Sequence, residues 1–302
     1  MKIGLQLIRF DWPDTPYETG RRLSEITRLA EEANFASLWV MDHFFQMGDE
    51  FGPANDPMLE GYSTIAYLAA LTQRIRLGVL VAGNIYHYPG LLIKTISTLD
   101  VLSGGRVYFG IGASWYKREA QGLGIPFPSL QERFERLEET LQIAKHMWSG
   151  NWASYHGHYY QLQEPINCPQ PIQQPHPPIL VGGEGEKKTL RLLAQYGDAC
   201  NLFAGGNSQE YAAGVESIRS KLAILQQHCE QLGRPYQEIE RTALAGIHLA
   251  KGNQSINEVL QLCQALAKLG IQHVIFNMPN AHEMKPLEMI GKELIPAMTN
   301  FD

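Results

Sequence analysis

The chain has 302 residues, of which 25 are basic and 31 acidic, so its net charge is −6 and its sequence pI is near 5.9. No basic run is longer than two residues, so the sequence lacks a basic segment that would bind the phosphates of a nucleic acid, and no such partner is expected. No apolar run approaches the roughly 20 residues that cross a bilayer, so no membrane partner is expected. A strand-like segment begins at Lys2, so no signal peptide is expected, and the four cysteines lack a metal-type spacing. A cytoplasmic location is expected.

Short apolar segments of strand character alternate with helical patterns along the whole chain. The predicted strands are 2–7, 37–41, 77–82, 107–111, 179–181, 199–203, 242–249 and 273–277. The predicted helices are 17–33, 60–72, 90–103, 130–148, one that ends at 196, 208–232, 256–269 and 283–298. Residues 151–163 alternate as in a β-hairpin. Without a linker that splits the chain, this order predicts one (β/α)8 barrel domain over 1–302, with a doubly wound open sheet as the alternative.

The central strand–helix–strand unit runs from Arg76 to Tyr116. One face of its helix is predicted to be formed by Leu91, Thr95, Thr98, Leu99 and Leu102. The loops that follow its two strands carry polar and aromatic side chains, namely Asn84, Tyr86, His87, Ser114, Trp115 and Tyr116. Because the carboxyl ends of parallel strands meet at one edge, these residues predict a ligand site there. Loop residues that merely cap the fold are the alternative.

The pair Asp42-His43 directly follows the second predicted strand. A histidine at that position can take or give a proton near neutral pH, and an adjacent carboxylate can tune its charge. We therefore predict a catalytic pair, in which Asp42 orients His43. In the alternative, Asp42 caps a turn and His43 fills the mouth of the barrel.

A glycine-rich segment, Gly182-Gly183-Glu184-Gly185, lies between a predicted strand and a predicted helix. Glycines at such a place let backbone N–H groups approach a phosphate, and the helix dipole favours an anion. The segment is neither a Walker loop nor a complete G-x-G-x-x-G motif. It predicts a phosphate site only in the context of a barrel, where the late strands often hold phosphates.

Two further histidines, His156 and His158, lie on the predicted hairpin without a carboxylate or cysteine partner. They are expected to face solvent, and no metal site is predicted. The common hydrolase motifs G-x-S-x-G and H-E-x-x-H do not occur in the sequence.

Three segments carry a resemblance to a known family. They are SLWVMDHFF, RLGVLVAGNIYHYPGLLIKTISTLDVLSGGRVYFGIGASWY and PPILVGGEGEKKTLRLLAQYGDACNLF. In these segments, and over essentially its full length, the chain resembles the bacterial luciferase-like flavin and deazaflavin oxidoreductases. It is most similar to the subgroup described as probable F420-dependent oxidoreductases. The resemblance implies a luciferase-like TIM barrel with a flavin-type ring at the carboxyl ends of the strands.

The resemblance also implies the roles of individual residues. A non-proline cis peptide between Leu80 and Val81 would form a bulge behind the ring. Asp42 and His43 match the acidic–histidine pair that meets ring and substrate. The remaining cofactor positions match Gly112, Ala113 and Tyr116 beside the ring, and Gly182, Gly183, Gly185 and Thr189 at the phosphate.

Two departures from the family pattern bear on the cofactor and the substrate. Luciferase-type members have an arginine where this chain has Ala113, so one phosphate contact to FMN would be missing, and F420 is favoured. The sugar-phosphate dehydrogenases that use F420 have a carboxylate where this chain places Trp115. This argues against sugar-phosphate oxidation and leaves His43 as the proton donor or acceptor.

These inferences predict F420-dependent hydride transfer to or from a small organic substrate. The substrate pocket is expected to contain Trp12, Phe44, Tyr86, His87 and Trp115. One alternative is an FMN-dependent monooxygenase that uses O2 and a separate flavin reductase. Another is a non-catalytic barrel that binds a flavin. A homodimer is expected from the resemblance.

Overall fold

The computed structural model describes residues 1–13, 15–48, 51–299 and 301. In these residues, most strands belong to one parallel sheet, and two short strands form a separate antiparallel pair. The parallel strands are β1 (Lys2–Leu7), β2 (Ser37–Val40), β3 (Arg76–Val79), β4 (Ala82–Gly83), β5 (Val107–Gly112), β8 (Ile179–Gly182), β9 (Ala199–Phe203), β10 (Glu240–Gly246) and β11 (His273–Asn277). The antiparallel pair is β6 (Tyr155–His156) and β7 (Gln161–Leu162).

The parallel sheet closes into a barrel because β3 pairs with β2 on one side and with β5 on the other. From β5 the ring continues through β8, β9, β10 and β11 to β1. The short strand β4 extends the line of β3 and also pairs with β5, so β3 and β4 occupy one place in the ring. The described residues therefore form a closed eight-stranded barrel, as predicted, and the β6–β7 hairpin is an insertion between β5 and β8.

Helices alternate with the barrel strands on the outside. They are α1 (Thr19–Glu32), α2 (Gly61–Leu71), α3 (Pro89–Ser103), α4 (Lys117–Gly122), α5 (Leu130–Trp148), α6 (Thr189–Tyr196), α7 (Tyr211–Leu232), α8 (Ile256–Lys268), α9 (Lys285–Met289) and α10 (Ile295–Thr299), with a π-helical segment, Ile290–Leu294, between the last two. Among the described residues, no helix combines the length and the apolar character needed to span a membrane.

The third predicted strand, 77–82, is interrupted in the structure. β3 ends at Val79 and β4 begins at Ala82, and the peptide bond between Leu80 and Val81 is cis, as the resemblance implied. The Leu80 N–H still donates to the carbonyl of Val40, at 2.8 Å, so β3 stays attached to β2 up to the interruption. The predicted continuous strand was wrong because an apolar run reports burial and does not report a break in strand pairing.

The inside of the barrel is filled by large apolar side chains that alternate with glycines. The buried interior cluster contains Trp39, Leu80, Tyr108, Leu180, Ala199 and Ile275. The Trp39 ring occupies the space beside Gly78 where another residue would have its side chain, since a Cβ there would lie 2.4 Å from Trp39 Cζ3. Gly110 is equally constrained, because a Cβ would lie 2.1 Å from the Val79 carbonyl oxygen. The barrel is thus a packed core up to the level of Gly110.

The amino-terminal end of the barrel is closed by a polar network around a fully buried histidine. His273 Nε2 lies 2.8 Å from the Ser37 hydroxyl, which also accepts from the Trp39 indole at 2.6 Å. Its Nδ1 lies 3.9 Å from Glu240, which accepts from the Tyr108 hydroxyl at 2.7 Å. Burial lowers the pKa of the His273 imidazole to about 4, although Glu240 acts in the opposite direction. This histidine is therefore neutral in the folded protein near neutral pH.

The buried His273 makes stability depend on pH in a definite direction. Its folded pKa lies below the unfolded value of about 6.5, so the unfolded chain binds more protons between these two values. Stability from this group is complete above the unfolded pKa and is lost as the pH falls toward 4. The unfolding free energy of the wild-type protein should decrease between pH 7 and pH 5, and we expect this decrease to be smaller by about 2 kcal/mol in His273→Gln. Urea titration at the two pH values measures it. The exposed His158→Gln is the control, and equal slopes in all three proteins would contradict the assignment.

The predicted packing face of the third helix was also wrong. In α3, Leu91 and Leu102 are each 73% exposed, while Leu92, Ile96 and Leu99 are buried against the barrel. The apolar stripe that packs is thus displaced by about one residue from the predicted face. The predicted helix 283–298 is present as α9, the π-helical segment and α10, which follow one another without a break.

Candidate functional site

The carboxyl ends of β2, β4 and β5 bring the predicted site residues together at one end of the barrel. Asp42 and His43 follow β2, while Tyr86 and His87 follow β4. Trp115 and Tyr116 follow β5, and α4 begins directly after them. Since all barrel strands are parallel, these three loops surround the same mouth.

Asp42 pairs with His87. Its Oδ2 lies 2.8 Å from His87 Nε2 and accepts the Gly83 backbone N–H at 2.7 Å. The Asp42 side chain is fully buried, and the His87 side chain is 18% exposed. The predicted orientation of His43 by Asp42 was therefore wrong. Because successive side chains of an extended segment point to opposite sides, neighbours in sequence do not meet there.

His43 is held by a different carboxylate, that of Glu119 on α4. His43 Nδ1 lies 3.1 Å from Glu119 Oε1, and the same oxygen accepts the Tyr86 hydroxyl at 2.7 Å. The other oxygen accepts the backbone N–H groups of Phe44 and Phe45, at 2.5 and 2.8 Å. An Nδ1–H that faces the carboxylate leaves His43 Nε2 as the ring atom available for proton transfer.

The Glu119 carboxylate is ionised although its side chain is fully buried. Burial alone would raise the pKa of this carboxyl. Hydrogen bonds from His43, the Phe45 N–H and Tyr86 outweigh burial and hold the pKa below its usual value. Burial and this carboxylate also raise the pKa of the Tyr86 phenol well above its usual value, so Tyr86 stays protonated as a donor.

Aromatic rings lie around the His43–Glu119 pair. The His43 ring meets those of Trp115 and Tyr116 edge-on, with centroids 5.4 and 5.9 Å apart. Phe44 contacts Tyr86 in the same manner, at 5.5 Å. Tyr116 is buried and donates its hydroxyl to the Gln46 carbonyl at 3.1 Å, whereas Trp115 is 59% exposed. The surroundings of His43 are therefore apolar and open to solvent on the Trp115 side.

Several buried polar atoms near the ends of the barrel strands have no hydrogen-bond partner within the described residues. They include Asp42 Oδ1, both side-chain atoms of Asn84 and Asn277 Oδ1. Buried polar groups of a folded protein are normally paired, so unpaired ones at a strand end indicate a bound group that completes them. A flat ring whose edge carries alternating N–H and C=O groups, as in flavins and deazaflavins, fits this mixed set of donors and acceptors.

The glycine segment after β8 has the geometry of a backbone anion site. Gly183 has a φ of +115°, a conformation that side chains rarely adopt. A Cβ on Gly185 would lie 2.9 Å from the Thr189 hydroxyl, so this glycine lets the loop close on the first residue of α6. The predicted residues Gly182, Gly183, Gly185 and Thr189 are thus neighbours in space.

The remaining predicted cofactor residues lie on β3, β4 and β5 or next to them. Val81 packs against the glycines of the neighbouring strands: a Cβ would lie 3.1 Å from Val81 Cγ2 at Gly112, and 2.6 Å from it at Gly182. Leu80 belongs to the interior cluster and is 8% exposed. Ala113 is half-buried, and its carbonyl accepts from the Arg133 guanidinium at 3.4 Å.

Trp12 is the predicted pocket residue whose surroundings fit the prediction least. It is only 4% exposed, and its ring stacks on His282, with centroids 6.4 Å apart. Phe10 covers it at 5.4 Å. Its ring is thus part of the packed core beside β1.

Sequence reasoning missed two residues that shape the site, Glu119 and Arg133. Arg133 on α5 is buried and holds the loop after β5 through the carbonyls of Ala113 and Ser114. Ser114 has a φ of +63°, so the loop turns sharply at that point. Both charged residues lie in hydrophilic sequence, and no apolar periodicity marks them as buried.

The hairpin histidines His156 and His158 are exposed, as predicted. In the described part of the chain, no group of three or more histidine, cysteine or carboxylate side chains has an arrangement that could hold a metal ion.

The model of one protein family, described as luciferase-like monooxygenase, matches residues 1–292. An F420-dependent glucose-6-phosphate dehydrogenase of Kineococcus radiotolerans is 29% identical over 222 residues, which are 73% of this chain and 62% of that protein. An FMNH2-dependent dimethylsulfone monooxygenase of Pseudomonas putida is 30% identical over 177 residues, 56% of this chain and 48% of that protein. The chain thus matches less than two thirds of the length of either relative.

The fold is also found in solved structures. A monooxygenase from Streptomyces bottropensis superposes with a TM-score of 0.80 at 19% identity, and the match covers 98% of this chain and 99% of that one. Together with the family match over residues 1–292, the closed barrel identifies the chain as a member of the luciferase-like monooxygenase family.

Proposed function

We propose that the chain is a flavin- or deazaflavin-dependent oxidoreductase, and that it uses F420 to transfer a hydride to or from a small organic substrate. The observation that carries the proposal is His43, which Glu119 fixes through Nδ1 so that Nε2 is free at the mouth of the barrel. Reduction of a carbonyl, or the reverse oxidation of an alcohol, needs one proton transferred together with each hydride. A histidine fixed in this way is placed to give or take that proton.

When bound, the cofactor would donate or accept the hydride, and the chain's own residues do the rest. His43 Nε2 would give a proton to the substrate oxygen or take one from it. Glu119 holds the ring in the tautomer and orientation that allow this. Phe44, Tyr86, His87 and Trp115 would shape the substrate pocket.

Two groups of residues would hold the cofactor. The unpaired atoms of Asp42 and Asn84 would bind the polar edge of the ring, with Leu80, Val81, Gly112, Ala113 and Tyr116 around its middle. The N–H groups of the loop from Gly182 to Gly185 and the Thr189 hydroxyl would bind the phosphate.

The second candidate is an FMN-dependent monooxygenase that uses O2 and receives reduced FMN from a separate reductase. The similarity to the FMNH2-dependent dimethylsulfone monooxygenase of Pseudomonas putida favours this candidate. Ala113 favours F420, because it offers no charge to the FMN phosphate where luciferase-type members have an arginine. A non-catalytic flavin-binding barrel is disfavoured by the fixed His43–Glu119 pair, since a carrier has no use for a positioned proton donor.

Titration of the purified protein with oxidised F420 and with oxidised FMN, followed by fluorescence, tests the proposal. We expect F420 to bind at least tenfold more tightly than FMN, a difference of about 1.4 kcal/mol. The opposite preference would favour the monooxygenase, and oxygen uptake with reduced FMN would then be the next assay. Absence of binding by both would refute the proposed function and leave the fold unaffected.

Thr189→Val tests the phosphate site without a change of side-chain shape. Thr189 is 4% exposed and begins α6, so valine fits the space but lacks the hydroxyl. We expect F420 binding to weaken about tenfold, or by about 1.4 kcal/mol, while the unfolding free energy changes little. The control is Thr98→Val on the exposed side of α3. Unchanged F420 affinity in Thr189→Val would place the phosphate elsewhere.

Pairing of two copies and a cytoplasmic location stay predictions. The exposed Leu91 and Leu102 give α3 an outward apolar face, which supports a homodimer through the outer helices. We also propose that residues 1–302 form a single barrel domain in each copy.

A further inference from the structure

A cavity of about 710 Å³ lies beside the barrel mouth, on the side of β4 and β5. Its walls are the loop that follows β4, the segment 124–128, the first turns of α5 and the β6–β7 hairpin. The hairpin is an insertion in the barrel, and Leu162 at its end lies against the start of α3 at Gly90. The insertion therefore supplies one wall of the cavity.

The walls consist largely of flat side chains. Tyr88, Phe127 and Tyr160 contribute aromatic rings, and Pro126 and Pro128 contribute flat apolar faces. Tyr88 is 78% exposed. Aromatic rings attract other rings through stacked and edge-to-face contacts, which a saturated ring makes less well. The lining therefore favours a planar aromatic ligand over an aliphatic one.

Among the described residues that line the cavity, the charged side chains are paired with one another. The guanidinium of Arg136 pairs with the carboxylate of Glu132 at 2.7 Å. The same guanidinium lies over the Tyr159 ring, 4.5 Å from its centroid. Because its charge is already balanced and its flat face is covered, a free carboxylate or phosphate would gain little there. A neutral ligand is therefore favoured.

The cavity adjoins the two carboxylate–imidazole pairs through two of its lining residues. Tyr86 and His87 line it, and the same residues bind Glu119 and Asp42. A ligand in the cavity thus lies against the backs of the side chains that form the proposed reaction site. The volume is in the range of small-molecule pockets and exceeds what a two-ring compound needs.

We propose that this cavity is the substrate chamber, and that it takes neutral planar aromatic compounds of one or two rings. The term substrate rests on the proposed function, whereas the binding preference rests on the cavity alone. The chamber holds the ring, and the reacting group of the compound extends past Tyr86 toward His43.

The test is the binding of three probes to the full chain, measured by ligand-observed NMR: indole, indole-3-carboxylate and cyclohexanol. We expect indole to bind at least tenfold more tightly than cyclohexanol and at least threefold more tightly than the carboxylate. Tyr88→Ala removes one ring from the wall and should weaken indole binding at least fivefold. Tyr17→Ala is the matched control, because Tyr17 is 93% exposed and distant in sequence from the cavity.

A second variant, Ile125→Trp, places a two-ring side chain in the cavity and should weaken indole binding at least fivefold whether or not Tyr88 contributes. Equal indole affinity in wild type, Tyr88→Ala and Ile125→Trp would overturn the proposal, as would equal binding of indole and cyclohexanol. F420 titration of the same proteins separates this proposal from the proposed function. Wild type that binds indole in the cavity but neither F420 nor FMN would refute the function and leave the chamber standing.

Discussion

Replacement of Glu119 by glutamine is expected to lower the free energy of unfolding by about 3 kcal/mol. The carboxylate accepts hydrogen bonds from the His43 ring, the Tyr86 hydroxyl and two backbone N–H groups in a fully buried position. Glutamine keeps the shape, but its amide NH2 would face one of these donors, and the negative charge is lost. Urea titration measures the change.

The sign of the pH dependence gives an independent check on Glu119. Its folded pKa is depressed, so its contribution is complete above the unfolded pKa of about 4.3 and is lost as the pH falls through the folded value. Glu119→Gln should therefore lose less stability than wild type below that pH. Glu135→Gln is the control, because that carboxylate is only half-buried and accepts from the side chains of Tyr159 and Gln131. A loss in Glu135→Gln as large as that in Glu119→Gln would contradict the special role of Glu119.

His43→Gln is expected to reduce turnover about a thousandfold and to leave F420 binding within about threefold. Glutamine can still donate to Glu119, so the loop keeps its bonds, but it cannot give up a proton near neutral pH. The measurement is steady-state reduction, by reduced F420, of a small carbonyl compound that the wild-type protein accepts. Fluorescence titration of the same variant reports the affinity for the cofactor.

Two further variants make the His43 prediction specific. His158→Gln changes an exposed histidine of the hairpin and should match wild type. His87→Gln keeps a possible donor to Asp42 but removes the imidazole ring from the pocket wall, and it is expected to raise KM more than it lowers kcat. If His87→Gln lost turnover and His43→Gln kept it, the proton would pass through His87 and the assignment would be reversed.

The parts of the fold that local pattern determines were predicted correctly. The strands 2–7, 199–203 and 273–277 and the helix 130–148 have the predicted bounds, because each is a strand-length apolar run or a strongly amphipathic helix. The alternation of these elements was enough to predict the closed barrel. The break in the third strand was known only through the resemblance to a family.

The pairing of side chains within the site could not be predicted from local pattern. Asp42 and His43 are adjacent in sequence, yet they bind partners 45 and 76 positions away. Glu119 lies in the hydrophilic helix KREAQG, and only its contacts with two other loops bury it. Such pairings depend on how loops from different strands meet, which a single sequence without an alignment does not report.

The two buried carboxylates join three loops of the barrel mouth to one another. Glu119 binds the N–H groups of Phe44 and Phe45, and Asp42, two residues earlier, binds the N–H of Gly83. A fluctuation that opens any one of these loops therefore has to break a bond that holds the next. The rim on this side of the barrel should open and close as one cooperative unit, so that amide hydrogens from three distant parts of the chain would exchange with solvent at a common rate.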